Sequence, residues 1–155
     1  VLNNGEIVQI SNPDQLRSAR VLVVDDERHI ARFLEFILKK AGYTVAVAHD
    51  GEQALVQVQK FEPDALLLDL VMPKLSGMEV LRQLRAEDRY ASLFIAVLSA
   101  RLFEDRANEV LKAGANLNCE KPVAPSTLLS QLAEFGVPPR LALPLSRSEV
   151  SHALA

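Results

Sequence analysis

Two adjacent aspartates, Asp25 and Asp26, follow four branched aliphatics in the stretch VLVVDDERHI. A bounded apolar run of that kind reads as a buried strand. Carboxylates at the edge of a core are costly to desolvate unless a cation meets them. Three more polar residues end similar runs: Asp69 closes DALLLD, Ser99 closes LFIAVLS, and Lys121 follows LNCE and precedes Pro122. Gathered on one rim, these residues set three carboxylates beside a hydroxyl and an ammonium. Carboxylates a few ångströms apart raise one another's pKa, and a hard divalent cation relieves the crowding. Mg²⁺ prefers an octahedron of oxygens and keeps several waters, so one or two carboxylates and a carbonyl suffice. Lysine offers a compact charge for a phosphoryl or carboxylate oxygen, and serine adds a donor. Such a set stabilises a phosphoryl group in transfer to a carboxylate through positioning and electrostatics. An aspartate can be the nucleophile in that transfer.

The elements that must carry these residues follow from periodicity. Strands are expected at 21–24, 43–48, 64–70, 93–99 and 117–120. Between them, Ile30, Phe33, Leu34, Ile37, Leu38 and Ala41 recur at helical spacing over 29–41, which Gly42 terminates. Further helices are expected at 51–60, 77–86, 104–113 (ended by Gly114) and 125–135, the last with Ser126 as its cap. Five strands alternating with five helices argue for an α/β fold, a doubly wound parallel sheet with right-handed crossovers. Functional groups in such folds collect at the carboxyl ends of the strands, where Asp25, Asp26, Asp69, Ser99 and Lys121 all fall.

The chain of 155 residues is enough for one compact domain, and 49% hydrophobic with 24% charged residues is the mix of a globular protein. A net charge of −3 provides no basic field for nucleic acid or an anionic membrane. No run approaches the roughly 18 apolar residues of a membrane span, and no signal peptide is visible. A single cysteine, Cys119, excludes an internal disulfide and any CxxC metal site. A cytoplasmic location is the expectation. Residues 1–19 read as an N-terminal extension in which 6–10, EIVQI, can form an extra edge strand. Residues 138–155 read as a tail or linker in which Ser146-x-x-Glu149 can start a short helix.

The whole pattern resembles the receiver domain of two-component response regulators over about residues 20–137. The matching pieces are VLVVDDE, LLLDLVMPKLSG, AVLSA, KAGAN and EKP, in that order. The resemblance implies a flavodoxin-like three-layer (βα)5 sandwich with strand order 2-1-3-4-5. It implies Asp69 as the phosphoacceptor and Mg²⁺ held by Asp25, Asp26, Asp69 and the backbone carbonyl of Val71. Asp26 would touch the metal directly, and Asp25 largely through water. Ser99 takes the place of the switch hydroxyl and Lys121 that of the family lysine, with Lys121–Pro122 expected cis. Gly77 is expected to supply a tight turn. Val71 and Arg101 fall where the family tunes self-dephosphorylation. Four positions depart from the pattern: Asn118 stands where an aromatic is frequent, Val123 where phenylalanine is common, and Asn116–Leu117 replace an acidic pair. Intact chemistry with unusual signalling geometry is therefore expected.

The implied function is a switch. A histidine kinase or phosphotransfer protein would phosphorylate Asp69, and the face of the fourth helix, fifth strand and fifth helix would change its preference for a downstream partner. No output motif is visible in the 155 residues, so a single-domain regulator or an excised receiver is expected. A homodimer is left open. The alternative is a receiver-like binding module that works without phosphorylation, motivated by Asn118 and Val123. An aspartate-nucleophile phosphatase fits less well, because Asp25–Asp26 are adjacent rather than Asp-x-Asp. Dinucleotide binding lacks its glycine-rich loop. Cys119 is expected to pack as a small apolar group, His29 and His49 to be exposed, and His152 to lie in a tail.

Overall fold

A computed structural model describes residues 2–3, 6–7, 17–100 and 104–139. Residues 18–139 form one compact unit; the other comprises 1–17 and 140–155. In the first unit five strands form one parallel sheet: β1 (Arg20–Val24), β2 (Thr44–Ala48), β3 (Ala65–Asp69), β4 (Phe94–Ser99) and β5 (Leu117–Glu120), in the order β2-β1-β3-β4-β5. This is the expected doubly wound arrangement. The strands are short, β-branched or leucine-rich, and β3 and β4 are buried throughout, as strands covered on both faces must be. Alternate residues face opposite layers. Leu22, Val24, Leu66, Leu68, Ile95 and Val97 pack under α2 (Gly51–Phe61), α3 (Gly77–Arg85) and α4 (Glu104–Lys112). Val21, Val23, Leu67, Ala96 and Leu98 pack under α1 (Arg28–Lys40) and α5 (Pro125–Glu134).

Register lifts the functional positions to one level. Val24 lies opposite Leu68, so Asp25 stands beside Asp69. Asp69 lies opposite Leu98, one residue before Ser99. Ser99 lies opposite Glu120, one residue before Lys121, and the Lys121 amide donates to the Ser99 carbonyl at 2.7 Å.

Several local expectations are corrected. Ser126 does not cap α5: the helix starts at Pro125, with Ala124 at the cap position and no side-chain cap bond. Proline at the first helical position has no N–H to lose and a preset φ, so Ser126 is already inside the helix. Two caps go beyond the sequence expectations. Asp50 accepts from the Gln53 amide at 2.8 Å and opens α2, while Ser76 and Glu79 form a reciprocal capping box on α3. Glu6–Ile7 pairs antiparallel with Leu2–Asn3 in a separate two-stranded ladder rather than edging the main sheet. The remainder of 6–10, Arg101, Ser146, Glu149 and His152 lie outside the described residues.

Gly77 is needed for a reason other than its dihedral freedom. Its φ is not positive, and the left-handed residue of the β3–α3 loop is Lys74 at φ 64°. A Cβ at Gly77 would lie 2.1 Å from the Asp69 carbonyl oxygen and 2.8 Å from Leu70 Cα. Both are backbone atoms with no freedom to yield, so glycine lets α3 start directly against the end of β3. Gly77→Ala should therefore cost about 2–4 kcal/mol of stability, measured by urea unfolding. An unchanged unfolding midpoint would show that the contact is not tight.

Candidate functional site

The rim at the carboxyl ends of β1, β3, β4 and β5 brings the expected residues together. One carboxylate oxygen each from Asp25, Asp26 and Asp69 lie within 4.8 Å of one another. Asp25, Asp69 and Ser99 are buried, while Asp26 is exposed. The Lys121 ammonium reaches in from beyond β5, 2.6 Å from Asp25 Oδ2 and 3.5 Å from Asp69 Oδ1. Asp25 Oδ1 accepts the Glu27 amide at 2.9 Å, so both Asp25 oxygens have protein partners. The Val71 amide donates to Asp69 Oδ1 at 3.4 Å, which places Val71 directly beside the site. The Lys121–Pro122 peptide bond is cis.

The electrostatics are unbalanced. Three carboxylates face one ammonium, so with all three ionised the pocket carries two uncompensated negative charges. Burial pushes the Asp69 carboxyl up to about 6. Lys121 pulls it back, the Asp25 charge and a hydrogen bond with Asp26 push it further, and the Val71 amide lowers it. For Lys121, burial acts to lower the pKa, but the Asp25 hydrogen bond and the Asp69 and Asp25 charges outweigh it, so the ammonium is held charged. The excess of two negative charges on clustered hard oxygens fits a divalent cation. Asp25, Asp26 and Asp69 are the residues that could hold it.

The comparisons with known proteins agree with this geometry. A profile of the response regulator receiver domain matches residues 21–133. The chain belongs to the response regulator receiver domain family. It is 44% identical over 115 residues to response regulator MprA of Mycobacterium ulcerans, covering 74% of this chain and 49% of that protein. It therefore spans about half the length of the curated relatives it matches. Among solved structures, the chemotaxis protein CheY4 of Vibrio cholerae is 33% identical with a TM-score of 0.73, covering 77% of this chain and 99% of that one. A signal receiver domain from Bermanella marisrubri is 35% identical with a TM-score of 0.70, covering 77% and 98%. The chain is thus a two-component receiver, a signalling switch of the family that pairs a phosphodonor with downstream partners.

The receiver departs from the family pattern in places the structure explains. Asn116 uses its side-chain oxygen to accept from the Ile95 amide at 2.8 Å and from Arg85 at 2.9 Å. Val123 is partly buried and lines an apolar groove beside Lys121 with Ile30, Phe33, Leu34 and Leu98. Asn118 lies on β5 opposite Val97. His29 is exposed as expected, but His49 is not: it is partly buried, with Nδ1 3.1 Å from the Asp25 carbonyl oxygen. The Gln53 side chain accepts the His49 amide at 3.0 Å and tucks the residue against β1. Cys119 is half-buried against the α1/α5 layer. Among the described residues no helix is long and apolar enough to cross a membrane.

The crowded carboxylates make stability depend on pH. Without a divalent cation, Asp69 titrates near 6 in the folded chain against an ordinary 3.8. Between those values the folded state binds more protons than the unfolded one. Stability therefore falls as pH rises through the window, and the penalty is fully present above about 6. In EDTA at pH 7.5, Asp69→Asn should be more stable than wild type by about 1–3 kcal/mol. The gap should close below pH 3.8. Urea unfolding across that range checks it, and a pH-independent gap would place its cause elsewhere than in the Asp69 charge.

Proposed function

We propose that Asp69 is the phosphoacceptor of a Mg²⁺-dependent switch, with a histidine kinase or phosphotransfer protein as donor. The observation that carries this reading is the convergence on Asp69 of two acidic neighbours, a charged lysine and a backbone amide at the end of a buried strand. An Asp69 carboxylate oxygen attacks the donor's phosphorus, the donor's N–P bond breaks, and the donor nitrogen keeps the electron pair and takes up a proton. Lys121 stabilises the charge on the transferring phosphoryl oxygens, and the Ser99 hydroxyl donates to one of them.

The metal site is assigned to Asp26, Asp69, the Val71 carbonyl and, largely through water, Asp25. Asp25 already has protein partners for both oxygens, whereas Asp26 is exposed. Mg²⁺ bound there supplies charge neutralisation for the incoming phosphoryl group. The new charge and acceptor oxygens draw Ser99 and Lys121 towards Asp69. The α4–β5–α5 face then changes its preference for a downstream protein, without turnover of an external substrate, in the cytoplasm.

Wild type incubated with a small-molecule phosphodonor and Mg²⁺ should gain one acid-labile phosphate by intact mass. Asp69→Asn, or wild type in excess EDTA, should gain none. Equal incorporation in wild type and Asp69→Asn would sink the assignment.

A further inference from the structure

The loop that carries Val71 leaves β3 at Leu70 and is closed by the Gly77 amide, which donates to the Leu70 carbonyl at 3.0 Å. Met72 is buried and Leu75 packs against the α2/α3/α4 layer, whereas Val71 is exposed. Midway along the loop Lys74 holds φ at 64°. Glycine and asparagine take that left-handed conformation readily and other residues do not, so a lysine there needs a hold from outside the loop. The hold comes from the start of α2. The Lys74 ammonium is 3.4 Å from Asp50 Oδ2 and 3.8 Å from Glu52 Oε2. Asp50 is itself fixed, being buried and accepting the Gln53 amide on its other oxygen. Between these two acids, a Cβ on Gly51 would lie 2.4 Å from the Leu75 carbonyl oxygen. The loop backbone therefore rests directly on the first residue of α2. The same connection touches the other acidic loop as well: His49 Nδ1 is 3.1 Å from the Asp25 carbonyl oxygen. Asp50 and Glu52 lie outside the cluster of Asp25, Asp26 and Asp69, yet the segment they belong to contacts both loops that build it.

We propose that Lys74 is a positioning residue for the metal: by bridging to Asp50 and Glu52 it holds the β3–α3 loop against α2 and keeps the Val71 carbonyl in place beside Asp69. The inference rests on the metal assignment made above and adds what preorganises it. Simple electrostatics predicts the opposite sign. A cationic side chain on a loop that receives Mg²⁺ repels the ion, so Lys74 acting only as a charge would weaken binding. Acting as a brace, it strengthens binding by removing the freedom of the loop that supplies a ligand. The sign of the effect thus separates the two roles.

The test is calorimetric Mg²⁺ titration of the full chain at fixed ionic strength. The proteins are wild type, Lys74→Gly, Lys74→Arg, and Asp50→Asn/Glu52→Gln with and without Lys74→Gly. Lys74→Gly should bind Mg²⁺ about twofold to fivefold more weakly than wild type, the range of an exposed ion pair. Lys74→Arg keeps charge and reach and should bind like wild type. Asparagine still caps a helix, so Asp50→Asn/Glu52→Gln keeps α2 but offers Lys74 no charge. In that background Lys74→Gly should cause no further loss. Urea unfolding in EDTA should find Lys74→Gly no less stable than wild type, because glycine adopts the left-handed conformation without strain. Four results would each overturn the brace while leaving the metal site intact: equal or tighter binding by Lys74→Gly, an equal loss in the neutralised background, weak binding by Lys74→Arg, or a loss accompanied by a lower unfolding midpoint. If wild type binds no Mg²⁺, or Asp26→Asn/Asp69→Asn binds it as well as wild type, the metal assignment falls and the brace falls with it.

Discussion

The ion pair of Lys121 with Asp25 is the interaction on which the rim depends. It joins the ends of β5 and β1, which are separated in the sheet by β3 and β4. The 2.6 Å contact passes beside Asp69, whose Oδ1 is 3.5 Å from the same ammonium. A buried pair of this kind is a poor source of net stability, because desolvation offsets much of the Coulombic gain. Its value here is geometric. It fixes one positive charge between two of the three carboxylates, those of Asp25 and Asp69. Everything else at the rim either sets the height of these groups or limits where they can move.

Height is set by strand register. A slip of one residue in β3 would exchange the faces of Leu66, Leu67 and Leu68. Because both faces are buried, such a slip would not expose apolar surface, as it would in a half-solvated strand. Here the pinning comes from the ends. Gly77 seats α3 against the Asp69 carbonyl, and the Gly77 amide donates to Leu70 at 3.0 Å. The β3 end is thus closed by a helix that cannot shift without meeting backbone, and Asp69 inherits that rigidity.

How far this could be read from the sequence follows from the same physics. Strands announced themselves because apolar runs stop abruptly at charged residues, and the site announced itself because those stops are Asp25, Asp69, Ser99 and Lys121. Asp50 and Ser76 also carried a readable signal, an N-cap residue followed three positions later by Gln53 or Glu79, but single caps add little to a fold assignment. Other features depend on contacts that no local pattern encodes. Ser126 looks like a cap only until Pro125 is recognised as the first helical residue. Gly77 looks like a turn glycine until the backbone behind Asp69 is in place. The burial of His49 depends on where the β2–α2 connection passes β1.

The rim is also held unequally on its two sides. Arg85, at the end of α3, donates to the carbonyls of Tyr90, Leu93 and Gly114 and to the Asn116 side chain, at 2.7–2.9 Å. Burial lowers its pKa, yet guanidinium stays charged at any ordinary pH, so the clamp is permanent. Gly114 and Asn116 belong to the turn between α4 and β5, so the carboxyl-terminal end of α4 is tied to α3 and to the start of β4. Along the described length of α4 itself only Val110 is buried. A helix fixed at one end and lightly seated elsewhere responds to a small change beneath it by pivoting rather than by detaching.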